Sequence, residues 1–482
     1  MEESLKNKTV KGTFWSAADA FLGQGVTFIV GIVLARLLSP AEYGLIGICM
    51  IFTTVLFGLV DSGFSSALIR KKNVANEDYN TMFITNMVIS IFFYILLYLL
   101  TPFIALFFNQ PKLVEVLRVM GWILILQALS ITQITILTKR IDFKTKTKAS
   151  LLSAIISGIV GIVMAILGFG VWALVGQQLS RQLIYTICMW ILIRWWPVFK
   201  FNLDSFRYMW GFGWKMTLSG VLNNIWNQLY QVVVGKFYSP ATLGQYTRSR
   251  DYANLFSANF TTIIQRVTYP VLSELQDDSE RMVVAYRKVI KVSMFVTALA
   301  MISLGAIAEP FIYVLIGPKW NEAATFLPLI CISMSLYPLH ALNLNMLQVQ
   351  GRSDIFLYLE ILKKIISVGP LLLGIFVNIY WMLIGSIVTG IISFFLNSYY
   401  TGKRLGYSSW MQLKDVAPSY GIAMLVAISV YFLKYIPLSY WIVLPLQIVI
   451  GIVVIVIVCL LLKPSEFIYL KDIVKEKIRK DR

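Results

Sequence analysis

Charge is scarce in this chain. Only 14% of its 482 residues are Asp, Glu, Lys or Arg, against roughly 25% in a soluble globular protein. Histidine occurs once, at His340, and cysteine four times. The single histidine excludes most zinc and haem sites. Cys49, Cys188, Cys331 and Cys459 lie inside apolar runs without paired spacing, which suits small buried residues better than disulfides or metal ligands. No cofactor or metal is expected. Long polar stretches are also missing, and 58% of the residues are hydrophobic, more than a soluble chain could cover with its polar groups. The start of the chain is polar for a dozen residues, and no cleavage motif follows its first apolar run. The expectation is therefore no cleaved signal peptide.

Acidic residues are scarcer than basic ones, 24 against 42, a net charge of +18. In a soluble protein this excess would suggest nucleic acid. Here the basic residues fall in short gaps between apolar runs of about 20 residues, the length that crosses a bilayer as a helix. The chain therefore reads as an all-α polytopic membrane protein with no nucleic-acid partner. Fourteen spans are expected, at 14–38, 44–68, 80–108, 116–138, 149–167, 171–193, 214–234, 245–267, 292–316, 323–348, 355–377, 379–399, 416–435 and 441–462. The span at 245–267 is weak, because it contains Arg248, Arg250 and Asp251. With the N-terminus in the cytoplasm, most Lys and Arg fall inside, including Arg70–Lys72, the cluster 139–148 and the tail 463–482. Both termini are expected to be cytoplasmic. The basic tail suits a solvated stop-transfer segment better than an amphipathic segment on anionic lipid.

The sequence also repeats itself. Ser39-Pro40-Ala41-Glu42-Tyr43-Gly44 returns as Ser239-Pro240-Ala241-Thr242-Leu243-Gly244, with Arg36 and Lys236 three residues before each serine. Pro111-Lys112 matches Pro318-Lys319, Arg140-Ile141-Asp142 matches Arg352-Ser353-Asp354, and Trp172 with Gly176 matches Trp381 with Gly385. The offsets are 200, 207, 212 and 209 residues, in register apart from loop insertions. The expected organisation is a cytoplasmic N-terminus (1–13), a six-helix lobe (14–193), a cytoplasmic linker (194–213) and a second six-helix lobe (214–399). Two further helices with the basic tail complete the chain (400–482). Six helices per repeat make the two lobes parallel, related by an axis along the membrane normal, a plan that favours a transporter opening alternately to either side.

Ionisable residues within the spans are functional candidates, since each costs a few kcal/mol to insert. Asp19, Asp61, Asp251, Glu309 and Glu360 are the candidates for ion coupling. Three of them have a plainer reading: Asp19 as a structural cap, Asp61 paired with Arg70 or Lys71, Glu360 bridged to Lys363 or Lys364. Arg181, midway along its span, is the sharpest basic candidate, because guanidinium suits phosphate. Asn224, Asn227, Gln228 and Gln231 recur at helical spacing and place amides on one face, away from lipid. His340 is expected to be a hydrogen-bonded core residue. A membrane enzyme would need positioned carboxylates or histidines on a sizeable outer loop, and none is visible.

Several stretches resemble a known family. They are Tyr269-Pro270-Val271-Leu272-Ser273-Glu274-Leu275 followed by Ala285-Tyr286-Arg287, then Ala308-Glu309-Pro310, Leu315-Ile316-Gly317-Pro318-Lys319-Trp320 and Gln350-Gly351-Arg352. Near the N-terminus, Leu38–Gly44 and Asp61-Ser62-Gly63-Phe64-Ser65-Ser66-Ala67-Leu68-Ile69 belong to the same pattern. Together they are similar to polysaccharide exporters of the Wzx type, in the colanic-acid branch of the multidrug/oligosaccharidyl-lipid/polysaccharide superfamily. The resemblance implies a flippase for undecaprenyl-diphosphate-linked oligosaccharide in the bacterial inner membrane, with twelve core helices and often two more. It also implies H+ or Na+ coupling, with membrane lipids, a polymerase and glycosyltransferases as partners. For such a cargo, Arg36, Arg181, Lys236, Arg248, Arg250 and Arg266 are the candidate diphosphate contacts. Arg36 and Lys236 also suit residues that snorkel at a helix end. A multidrug or cation exporter and a lipid II flippase of the same superfamily remain alternatives.

Overall fold

A computed structural model describes residues 22–61 and 63–480, without the side chains of residues 259, 263, 266, 267, 270, 404, 473, 474 and 476–480. Most of the described residues are helical, with no strand among them. In chain order the helices are α1 (Leu22–Leu37), α2 (Pro40–Asp61), α3 (Phe64–Arg70), α4 (Asn76–Phe108), α5 (Leu113–Met120), α6 (Trp122–Arg140), α7 (Phe143–Ile166), α8 (Val171–Ile193), α9 (Leu203–Phe237) and α10 (Pro240–Phe256). There follow α11 (Ala258–Glu274), α12 (Ser279–Ala306), α13 (Ala308–Ile316), α14 (Asn321–Ser335), α15 (Tyr337–Val349), α16 (Ser353–Ile366), α17 (Val368–Phe376), α18 (Ile379–Leu405), α19 (Ser409–Tyr431), α20 (Tyr440–Leu462) and α21 (Ser465–Lys480).

Among the described residues, nine helical segments are long and apolar enough to cross a membrane, and they overlap nine of the fourteen expected spans, the one expected at 292–316 lying at Ser279–Ala306. This is a multi-pass membrane protein. Helices occupy the other five positions as well, but they are shorter, more polar or broken. Of the span expected at 14–38, residues 22–37 are described as an apolar helix. α8 carries Arg181, α9 its amides, and α10 has Arg248, Arg250 and Asp251. α16 and α17 part at Ser367, just after Lys363 and Lys364. Polar groups lower mean hydropathy where a helix is buffered from lipid by protein.

The chain forms two compact units, residues up to Gly244 and residues from Gln245 onward. In the first, α7 packs on α8, α6 on α4 and α8, and α9 on α2, α3 and α4. In the second, α12 packs on α14 and α19, α11 on α15, α17 on α18, and α20 on α19. Tyr286, Met294, Leu342, Phe394 and Tyr407 lie in its main core.

The two copies of the serine–proline motif form the same local structure. Ser39 precedes α2 and exchanges hydrogen bonds with Glu42: its amide donates to Glu42 Oε2 at 2.6 Å, and the Glu42 amide donates to Ser39 Oγ at 3.4 Å. This reciprocal capping starts the helix, with proline at its first position, where no amide hydrogen is needed. Before α10, the Thr242 amide donates to Ser239 Oγ at 3.0 Å. The glycines of the motif then let the copies touch. A Cβ on Gly44 would sit 1.8 Å from the Pro240 carbonyl oxygen, and one on Gly244 would sit 1.9 Å from that of Pro40. Only glycine permits so close a reciprocal crossing.

The other repeated anchors also recur as structure. Asp142 starts α7 by accepting from the Thr145 amide at 3.1 Å. Its counterpart Asp354 opens α16 and is bound by Arg352 at 2.6 Å. That hydrogen bond holds the Asp354 carboxyl down to about 2. Gly176 and Gly385 each lie where the last two helices of a repeat meet. A Cβ on Gly176 would sit 2.4 Å from Met164 Sδ on α7, and one on Gly385 would sit 3.0 Å from Leu373 Cδ1 on α17.

Candidate functional site

Polar side chains inside the first unit lie on α2, α3, α4, α6, α7, α8 and α9. Asp61 ends α2 and accepts a hydrogen bond from Ser65 on α3 at 2.5 Å, and Ser65 in turn accepts from Thr135 on α6 at 3.0 Å. The basic residues expected to pair with Asp61 are engaged elsewhere. Lys71 is salt-bridged to Asp78 at 2.7 Å, and Arg70 lies 5.1 Å from the centroid of the Phe212 ring. The Ser65 hydroxyl thus takes the place expected for a cation at this carboxylate.

The amide stripe of α9 is divided between protein and open space. Asn224 faces α2, its Nδ2 lying 2.9 Å from where a Cβ on Gly58 would be. Gln228 and Gln231 are half-buried, and Asn227 is exposed. Arg181 is half-buried on α8, one position before Gln182, which donates to Ser130 on α6 at 3.2 Å. Thr186 and Trp190, further along α8, donate to the Leu126 and Leu129 carbonyls at 2.8 and 2.9 Å. These bonds fix the register of α8 against α6.

The repeat-related pair differs in environment. Arg36 is exposed near the end of α1. Lys236, at the end of α9, donates to the Phe107 carbonyl and sits 4.6 Å from the Phe107 ring centroid. It therefore satisfies a carbonyl in the last turn of α4, a favourable place for a cation. Arg248 and Arg250 are half-buried on α10, and Arg248 lies 3.7 Å from Asp251. Arg266 lies on α11, but its side chain is outside the described residues, as is the whole of Asp19.

The remaining acidic candidates are paired. Glu360 is bridged to Lys363 within α16, as its spacing indicates. Glu309, at the start of α13, accepts from Lys434 Nζ at 3.1 Å and from the Tyr440 hydroxyl at 2.7 Å. His340 is half-buried on α15, and its Nδ1 has no hydrogen-bond partner among the described residues. No group of three or more His, Cys, Asp or Glu among the described residues is placed to hold a metal ion.

Sequence reasoning passed over two features. Asn86 on α4 and Gln133 on α6 are fully buried, and neither side-chain amide has a hydrogen-bond partner among the described residues. Isolated amides in a long apolar run give little signal without a periodic stripe. The second feature joins α12 to the C-terminal helices. Arg287 Nη2 donates to Asp415 Oδ1 at 2.7 Å, the Tyr407 hydroxyl donates to Asp415 Oδ2 at 2.8 Å, and Lys291 reaches Glu466 on α21 at 3.3 Å. Lys288 lies 3.5 Å from the Tyr469 ring centroid. The tail helix is thereby held on α12. The motif Ala285-Tyr286-Arg287 was visible, but its acidic partner lies 128 residues away.

Known proteins are similar to this chain in sequence, and solved structures are similar to it in fold. The chain is 24% identical over 375 residues to the succinoglycan biosynthesis transport protein ExoT of Rhizobium meliloti, covering 78% of this chain and 76% of that protein. It is 22% identical over 377 residues to the lipopolysaccharide biosynthesis protein WzxC of Escherichia coli, covering 77% and 76%. In fold it is similar to the lipid II flippase MurJ in an inward closed conformation, with a TM-score of 0.74, 15% identity, and coverage of 96% of this chain and 100% of that one. An inward-facing multidrug resistance transporter of the MATE family matches with a TM-score of 0.62 and 15% identity, over 80% of this chain and 98% of that one. The family model described as "Polysaccharide biosynthesis protein" matches residues 33–325, more than half of the chain. This protein belongs to that polysaccharide biosynthesis family.

Proposed function

We propose that this protein is a flippase that moves undecaprenyl-diphosphate-linked oligosaccharide repeat units across the bacterial cytoplasmic membrane, for lipopolysaccharide O-antigen, capsule or exopolysaccharide. The observation that carries the reading is the combination of a polysaccharide family with a fold similar to a lipid flippase over nearly the whole chain. The physical problem agrees with it. A diphosphate and several sugars cannot enter hydrocarbon unaided, so a wet, partly cationic path is needed. The prenyl tail can stay in lipid throughout.

In this reading both termini are cytoplasmic, and fourteen crossings comprise two six-helix lobes, 14–193 and 214–399, plus two further helices. The lobes rock to open the path to alternate sides. Arg181, Arg248, Arg250 and Arg266 contact the diphosphate, while Arg36 and Lys236 attract or release it near the outer mouth. Asn224, Asn227, Gln228 and Gln231 line the path for sugar hydroxyls. An H+ or Na+ gradient drives the cycle through a carboxylate, for which Asp61, bonded to the Ser65 hydroxyl, is better suited than the ion-paired Asp251, Glu309 and Glu360. The partners are membrane lipids, the glycosyltransferases that complete the repeat unit and the polymerase that consumes it.

The test is mass spectrometry of lipid-linked oligosaccharides in cells lacking the protein. Complete repeat units accumulating on undecaprenyl diphosphate support the reading. Accumulation of a lipid-linked peptidoglycan precursor instead would assign the cargo of a lipid II flippase, and an unchanged lipid pool would refute lipid-linked cargo altogether.

A further inference from the structure

The second unit contains a cavity of about 790 Å³ bounded by α12, α13, α14, α19 and α20, at the end opposite the basic tail helix. Most of its wall is apolar, contributed by residues such as Met301, Ile302, Ile312 and Ala427. Two lining residues, Met424 and Ile332, are 55% and 41% exposed, so its mouth opens on the apolar outer surface. In a membrane protein an apolar chamber with such a mouth suits an occupant with an apolar body, drawn from the bilayer.

Polar chemistry is gathered at one place in this cavity. Glu309 and Lys434 form an ion pair at 3.1 Å, and the Tyr440 hydroxyl holds the other Glu309 oxygen at 2.7 Å. The Tyr313 and Tyr440 rings meet edge to face at 5.0 Å, and Tyr431 lies 4.4 Å from Lys434 Nζ. A carboxylate accepts about four hydrogen bonds, so Glu309 retains capacity for an incoming donor. Tyrosine rings beside it favour a cation, and the neighbouring Lys434 favours an anion. Acid and base next to each other, above an apolar chamber, complement a headgroup carrying both charges on an apolar body.

We infer that this cavity holds a zwitterionic phospholipid, its ammonium on Glu309 among Tyr313, Tyr431 and Tyr440, its phosphate on Lys434, and an acyl chain between α12 and α19. An ammonium with N–H donors fits better than a quaternary one, because Glu309 offers hydrogen-bond acceptors. Phosphatidylethanolamine is thus preferred over anionic phosphatidylglycerol, which would bring no cation to Glu309. The site is a property of the second unit by itself and does not depend on which cargo the protein carries.

The test uses full-length protein reconstituted in vesicles of dioleoyl phosphatidylethanolamine and dioleoyl phosphatidylglycerol, re-extracted and examined by native mass spectrometry for retained lipid. One phosphatidylethanolamine should stay bound in preference to phosphatidylglycerol, and Glu309→Gln should lower its retention about tenfold, as loss of a charged hydrogen bond would. Ala427→Phe, which puts a ring into the chamber and leaves both charges in place, should remove the bound lipid, with a single cooperative melting transition to establish folding. Equal retention of both lipids, retention unaffected by either variant, or a prenyl lipid held in place of the phospholipid would each overturn the assignment.

Discussion

The reciprocal crossing of the two repeated motifs can be tested by a single methyl group. Gly44→Ala would place Cβ 1.8 Å from the Pro240 carbonyl oxygen, where ordinary contact begins at 3.4 Å, so α2 and the start of α10 must separate by roughly 1.6 Å. The neighbour is backbone and cannot rotate aside. Forcing extra atoms into a packed contact costs about 1–3 kcal/mol and sometimes more. A loss near 2 kcal/mol changes an equilibrium by about thirtyfold. Gly244→Ala meets Pro40 at 1.9 Å and should cost the same. Because both methyls enter one crossing, the double variant should be less damaging than the sum of the singles, since helices already parted accept the second methyl at little further cost. Gly220→Ala on α9 is the control: nothing lies within 4 Å of its Cβ, and alanine in a helix interior is favoured over glycine by about 0.5–1 kcal/mol. The assay is the melting temperature of purified protein in detergent beside restoration of surface polysaccharide in a null strain. Gly44→Ala and Gly220→Ala melting together, or strict additivity of the double variant, would refute the crossing.

Three further outcomes follow from the same structure. Asp415→Asn should destabilise the second unit by about 1–3 kcal/mol, since Asp415 is 8% exposed while Arg287 is half in solvent and its charge is partly screened. Tyr407→Phe, losing one hydrogen bond, should cost about 1 kcal/mol, and thermal unfolding of the two variants checks the order. Arg181→Ala should abolish polysaccharide export while membrane insertion holds, and normal complementation by that variant would remove Arg181 from the diphosphate path. Asp61→Asn keeps the size and the hydroxyl partner but removes the charge, so export in vesicles should stop responding to an imposed ion gradient; an intact gradient response would move coupling to another carboxylate.

What could be read in advance was set by sequence distance and by periodicity. The long apolar helices were legible because hydrophobic runs record the bilayer directly, and the repeated motif was legible because its serine, proline and glycine have local tasks. Ser39 caps, Pro40 starts the helix, and Gly44 admits a neighbouring carbonyl. The partner of that glycine was not apparent, although the motif's second copy supplies it. Charged pairs divided along the same line. Glu360 with Lys363 follows from helical spacing alone, whereas Arg287 with Asp415, Glu309 with Lys434, and Lys236 with the Phe107 carbonyl join residues more than 100 positions apart. Asp61 shows the limit most plainly. Proximity in sequence favoured Arg70 or Lys71, but Lys71 is bound by Asp78 in the first turn of α4, and the carboxylate turns to Ser65. A buried charge takes the partner that helix packing brings to it, and an acid left with a hydroxyl inside a lobe is the kind of group a transporter can protonate or load with a cation during its cycle.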